Sequence, residues 1–370
     1  MALTATHLQC HCAAVYEPAT LLKDETLPLK NDMCHCSMCR FSTGSLAAWF
    51  AGLKRSPSDK SMSSVTAYNA TKTATRYFCN TCGCNVFVHM MEEGRWLACA
   101  GIVEVCVNEQ KGGGDSSNEG KVLGKEDLKE DRYGKEERVL SNPRYHEYVG
   151  SAADGGLAPY MMKLGGRDIP SYTTEPGIDG DKTLDPADVL ALRTNANVSP
   201  SARGSSIQVA CICGGVELRI APPPYNDTSE GWYVTSDKSK YYARLCNCRS
   251  CRLTLGFPFQ PWTYIPPSRL FTTAGDQLIV GPKAKDTKQI QKLKYYQSSE
   301  SVLRGFCEGC GATMFYQSFD RPYIINVCAG VARSKVGNVM LGEWLQWDRK
   351  VVSKREEAVE EEMIEAWLRA

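Results

Sequence analysis

Cys34-His35-Cys36-Ser37-Met38-Cys39-Arg40 returns 212 residues later as Cys246-Asn247-Cys248-Arg249-Ser250-Cys251-Arg252. This recurrence decides how the chain is read. Working outward, Cys10-His11-Cys12 is matched by Cys211-Ile212-Cys213 at an offset of 201. Phe78-Cys79-Asn80-Thr81-Cys82-Gly83 is matched by Phe306-Cys307-Glu308-Gly309-Cys310-Gly311 at an offset of 228. Phe87 pairs with Phe315, and Cys99-Ala100-Gly101 with Cys328-Ala329-Gly330. Only Cys84 and Cys106 of the 18 cysteines lack a counterpart. A repeat of this size means duplicated domains rather than a solenoid of short units.

Length agrees, because 370 residues suit two domains of ~100–150 residues with their connections. We expect a first domain over 1–175, a linker with a short helix over 176–205, and a second domain over 206–370. Lys111 to Arg138 holds 15 charged residues and 6 glycines in 28 positions and reads as a solvated insertion. Asp185-Pro186 reads as an N-cap with Pro at the first helical position, opening a helix to about Arg193. Elsewhere short apolar runs bounded by Gly and Pro predict strands: Asn85 to Met90, Trp96 to Val107, Val209 to Ile220 and Tyr323 to Val331. Ser353-Lys354-Arg355-Glu356 predicts a capping box, with Val359, Met363, Ala366 and Trp367 at helical spacing behind it. The expected fold class is therefore mainly β, with a few short helices and a C-terminal helix.

Charge excludes some partners. Lys plus Arg is 43 and Asp plus Glu is 42, which gives no electrostatic reason for nucleic acid. No run of ~20 apolar residues predicts a membrane span. The N-terminus has no apolar signal core, so a cytoplasmic location is expected. Thiols in a reducing compartment point to metal or catalysis rather than to disulfides.

Each copy supplies seven clustered cysteines as two, three and two. A C-x-C and a distant C-x-x-C make a closed four-thiolate zinc site. These are Cys10, Cys12, Cys79 and Cys82, and then Cys211, Cys213, Cys307 and Cys310. The remaining triplets, Cys34, Cys36 and Cys39, and Cys246, Cys248 and Cys251, leave a fourth position open, as catalytic zinc sites do. The expectation is up to four zinc ions per chain, two closed and two open. Redox-active or merely buried thiols are the alternative. Cys99 and Cys328 lie in apolar runs and are expected in the core. Arg40 and Arg252 follow the triplets; they either hold a substrate carboxylate or pair with an acidic neighbour. The five histidines all precede the second copy, so chemistry shared by both copies cannot use one. His11 and His35, inside cysteine motifs, are candidate bases of the first copy or exposed turn residues.

The ordered C-x-C, C-H-C-S-x-C-R and F-C-x-x-C-G motifs resemble those of the glutathione-dependent formaldehyde-activating enzyme family, also called the centromere protein V family. The first copy has the closer middle motif; the second has Asn247 and Arg249 at the His and Ser positions, but keeps Gly214-Gly215 where the first has Ala13-Ala14. The resemblance implies a tandem of zinc-binding β-tent domains, as in fungal members. It implies structural zinc at the closed sites and catalytic zinc at the triplets. It also implies a carbon–sulfur lyase that joins glutathione to formaldehyde. The expected partner is a small molecule, glutathione or a thiol adduct, with oligomeric state unreadable. Two other functions remain open: Lewis-acid dehydration, cyclisation or hydrolysis of a larger metabolite, and a non-enzymatic zinc scaffold for another protein.

Overall fold

The structure is a computed structural model that describes residues 3–24, 26–107, 138–177, 182–195, 204–223 and 231–370. The charged insertion expected over 111–138 lies outside the described residues except for Arg138. Among the described residues strands dominate, with five α-helices: α1 (Ser37–Thr43), α2 (Asp59–Met62), α3 (Pro186–Asn195), α4 (Arg249–Leu255) and α5 (Glu361–Arg369). None of them is long and apolar enough to cross a membrane. The tandem, mainly β architecture expected from the sequence is present.

Each copy has a small sheet and a larger one. In the first, Leu3–Gln9 pairs antiparallel with Tyr16–Pro18 on one side and Val103–Val107 on the other. In the second, Ile207–Ala210 sits likewise between Glu217–Ile220 and Ala332–Arg333. The run from Val209 to Ile220 is therefore two strands, because the C-x-C motif turns the chain between them. The larger sheet of the first copy is a four-stranded meander from Val65–Asn69 to Arg95–Cys99, with Phe50–Gly52 added as a fifth strand beside Arg95–Cys99. The second copy repeats the meander and extends it to seven strands through Tyr241–Cys246 and the parallel Leu345–Trp347. In the first copy the matching parallel pair, Leu29–Cys34 with Ser141–Glu147, stands apart, joined by the Cys34–Ala48 bridge.

The copies pack face to face with reciprocal contacts. His11 N donates to Leu253 O at 3.0 Å, and its counterpart Ile212 N donates to Phe41 O at 2.9 Å. Phe78 and Phe306 meet edge to face at 6.5 Å. Gly83 (φ +76°) lies under Phe306 and Gly311 (φ +78°) under Phe78; a Cβ on either would come within 2.4 Å of the ring. A side chain is excluded there by both space and backbone conformation. Trp49 of the first copy packs on Phe257 and Phe259 of the second, so one apolar core crosses the boundary.

The C-terminal helix differs from its sequence reading. It begins at Glu361, because Ser353 bridges to Cys246 as extended chain and Arg355 turns back to Glu361. Its buried face is Met363, Ile364, Ala366 and Trp367, and Trp367 packs against both Tyr160 and Trp347. The helix therefore ties the closing part of the first copy to the second.

Candidate metal centres

The local folding of the motifs explains the grouping of the sulfurs. Each C-x-C occupies the hairpin turn of a small sheet, and each C-x-x-C the tight turn after Ala74–Cys79 or Val302–Cys307. These turns meet, so that Cys10 Sγ is 3.6 Å from Cys12 Sγ, which is 3.5 Å from Cys79 Sγ. In the second copy Cys211 and Cys213 are 3.6 Å apart, and Cys213 and Cys307 3.5 Å. Backbone amides of Val15, Val216 and Gly309 point at Cys10, Cys211 and Cys307, which favours thiolates.

Each triplet sits on a strand-to-helix turn. Cys34 ends its strand, Cys36 N-caps α1 and receives the Cys39 amide at 3.3 Å, and Cys39 lies in the first turn. Cys246, Cys248 and Cys251 repeat this on α4. Cys39 Sγ and Cys34 Sγ are 3.5 Å apart. In all four groups the sulfurs lie within 4.8 Å of one another. Tetrahedral zinc with Zn–S of ~2.3 Å requires sulfur–sulfur edges of ~3.8 Å, so the cysteines fit that ion. One thiol of each triplet is pulled down in pKa by its sister thiols: Cys36 by Cys34 and Cys39, and Cys251 by Cys246 and Cys248 with Arg304 adding to the effect. Cys99 and Cys328 are core residues, 1% and 0% exposed.

Arg40 and Arg252 do not meet the role of substrate clamp. Both are buried, at 4% and 3% exposure, and engaged by protein groups. Arg40 bonds His35 O, Ser37 Oγ and Ser151 O. Arg252 crosses to the first copy, bonding Gly101 O, Val103 O and the carboxylate of Glu104 at 2.7 Å. Burial pushes Glu104 up, but Arg252 and Arg249 outweigh it and hold the carboxyl at about 2. The acidic-neighbour alternative thus describes Arg252.

The arginines that reach the triplets are Arg76 and Arg304, which the sequence reading missed. Arg76 Nη2 lies 2.9 Å from Cys39 Sγ, and both terminal nitrogens of Arg304 lie 3.7 Å from Cys251 Sγ. The signal was present, since the pair sits at the same offset of 228 in Arg-x-Phe-Cys-x-x-Cys-Gly.

His35 is not an exposed turn residue. It is fully buried, and its Nε2 meets His146 Nδ1 at 3.0 Å while His146 Nε2 meets Met161 O. Burial, then His146 and Arg40, push its pKa well down, so it is neutral. His11 leaves its own copy and contacts α4 of the second, 3.0 Å from Ser250 Oγ and 2.8 Å from Tyr296 OH. The second triplet is not free of histidine after all. A carboxyl missed in the sequence, Glu147, stands beside Cys34, and burial raises its pKa to about 7.

Comparison with known proteins adds the following. A family model described as glutathione-dependent formaldehyde-activating enzyme matches residues 5–111 and 232–339, more than half of the chain. No curated protein matches. A solved structure of a Rhodobacter sphaeroides protein aligns at 20% identity over 38% of this chain and 99% of its own, with a TM-score of 0.24, too low to carry an argument.

Proposed function

This chain belongs to the glutathione-dependent formaldehyde-activating enzyme family, and from that premise we propose a zinc-dependent enzyme that makes or breaks a carbon–sulfur bond between a glutathione-like thiol and an aldehyde. The observation that carries the reading is the convergence of three sulfurs, one ligand short of a tetrahedron, with a buried arginine against one of them in each copy. When bound there, zinc supplies Lewis acidity that keeps a thiol deprotonated at neutral pH.

The chain's own residues do the rest. Cys36 and Cys248 fix the triplet on the first turn of α1 and α4, where an amide hydrogen bond favours their anionic form. Arg76 and Arg304 offset the negative charge that three thiolates concentrate in a buried place. In the reaction the thiol sulfur bonds to the carbonyl carbon and the thiol's proton is made up on the carbonyl oxygen; the reverse step splits the adduct. Neither a histidine base nor Arg40 or Arg252 is assigned a role. The reading requires a reducing compartment such as the cytoplasm, since the thiols must stay reduced.

Metal analysis together with calorimetry tests this. The pure protein is expected to hold four zinc ions and to bind glutathione, with further heat on adding formaldehyde. Two zinc ions and no heat from either compound would sink the reading in favour of a scaffold.

A further inference from the structure

A chain of polar contacts joins the first copy's closed cysteine site to the second copy's triplet. His11, between ligands Cys10 and Cys12, lies 2.8 Å from Tyr296 OH through Nδ1 and 3.0 Å from Ser250 Oγ through Nε2. Ser250 Oγ accepts from Arg304 Nη2 at 3.0 Å, and Arg304 stands 3.7 Å from Cys251 Sγ. Arg304 is also held by Ser298 Oγ through Nε.

The first triplet is an internal control. The repeat puts Ile212 at the position of His11, Met38 at that of Ser250, Tyr68 at that of Tyr296 and Arg76 at that of Arg304. The backbone contact is kept, Ile212 N to Phe41 O matching His11 N to Leu253 O. Ile212 and Met38 have no group that can hold a guanidinium, and Arg76 sits directly on its sulfur at 2.9 Å rather than 3.7 Å.

We propose that the second triplet is a composite centre built by both copies, in which His11 acts through Ser250 as the residue that positions Arg304 and holds its charge back from Cys251. A cation closer to a sulfur withdraws more of its electron density, so the tether leaves Cys251 the more electron-rich thiolate donor. The closed site of the first copy then also serves the open site of the second, and the tandem chain is the functional unit. The inference rests on the reading of the triplets as metal sites.

The test uses the full chain with Cys36→Ser, which removes a ligand from the first triplet, with and without His11→Ile. Ile is native at the matching turn, so the hairpin tolerates it. The crystal structure of the His11→Ile protein is expected to show Arg304 released from Ser250 and closing on Cys251 towards 2.9 Å; an unmoved Arg304 overturns the proposal. In the cobalt(II)-substituted protein the thiolate-to-metal band of the second triplet is expected to move to higher energy. Zinc release from that triplet to a chelator is expected to speed up several-fold. His11→Gln, which again offers Ser250 a partner, is expected to restore both, and Ser250→Met to reproduce the Ile effect. A shift confined to the four-thiolate site overturns the proposal. Failure of the parent protein to take up a third metal would overturn the metal reading instead, while the position of Arg304 still decides the role of His11.

Discussion

At the first triplet Arg76 sits on Cys39, Glu147 stands beside Cys34, and Ile212 of the other copy meets α1 through its amide to Phe41 O. At the second, Arg304 is held off Cys251, Ser353 takes the bridge position that Glu147 fills in the first, and His11 faces α4. The boundary shows the same divergence: Glu104 receives Arg252, whereas its counterpart Arg333 stacks 3.8 Å over Phe41 next to Arg40. Duplication kept what clustering the sulfurs and tight packing demand, namely the cysteines, the hairpin turns and the glycines under Phe78 and Phe306. The shell around the sulfurs carries no such constraint, and there the copies parted.

The largest effect is expected where the copies should agree. Cys79→Ser and Cys307→Ser each break a closed site, and metal-coupled folding of such sites is worth on the order of 10 kcal/mol. Both variants should lose zinc and unfold early in denaturant, and either one keeping its metal and its midpoint would break the equivalence of the closed sites. The open sites should differ. Cys248→Ser is expected to lower kcat/KM about 100-fold and Cys36→Ser less than about 10-fold, since the carboxyl of Glu147 crowds the first triplet. Equal losses would show that both copies turn over.

Arg252→Ala takes one of two arginines from the buried Glu104, leaving Arg249 and Gln9, and should cost about 2–3 kcal/mol. Arg40→Ala strands no carboxylate and should cost less, as read from paired denaturation curves. Glu104 also sets an acid limb. Its folded pKa is depressed, so its contribution is complete above the ordinary carboxyl range and is lost as pH falls towards about 2. Glu104→Gln should flatten stability against pH in that window, and an unchanged slope would remove the pair from the account. The smallest effect lies in the C-x-C turns. Ala13 adopts φ +59° where the second copy has Gly214 at +68°. Ala13→Gly should stabilise by about 1 kcal/mol and Gly214→Ala should destabilise by a similar amount.

Much of the fold was legible because clustered cysteines leave their spacing in the chain. The grouping of all fourteen clustered cysteines follows from three motifs and their order, and the strands around them from short apolar runs between turns. Arg76 and Arg304 were equally legible at the shared offset of 228, but arginine is not a ligand type and cysteine spacing alone does not single it out. The start of α5 was misread because Ser353 and Glu356 satisfy a local capping pattern, whereas the bridge to Cys246 holds that stretch extended. Arg252 looked like a site residue because it follows a ligand; its partner, Glu104, lies 148 residues away.

The sequence by itself determined that the chain is a tandem of cysteine clusters, because a four- or three-sulfur group ties residue type to local spacing. Only the tertiary structure decided which side chains stand around each triplet, and that the second borrows His11 from the first copy. Those neighbours come from the packing of one copy against the other, and contacts across that boundary leave no periodicity or spacing in the chain.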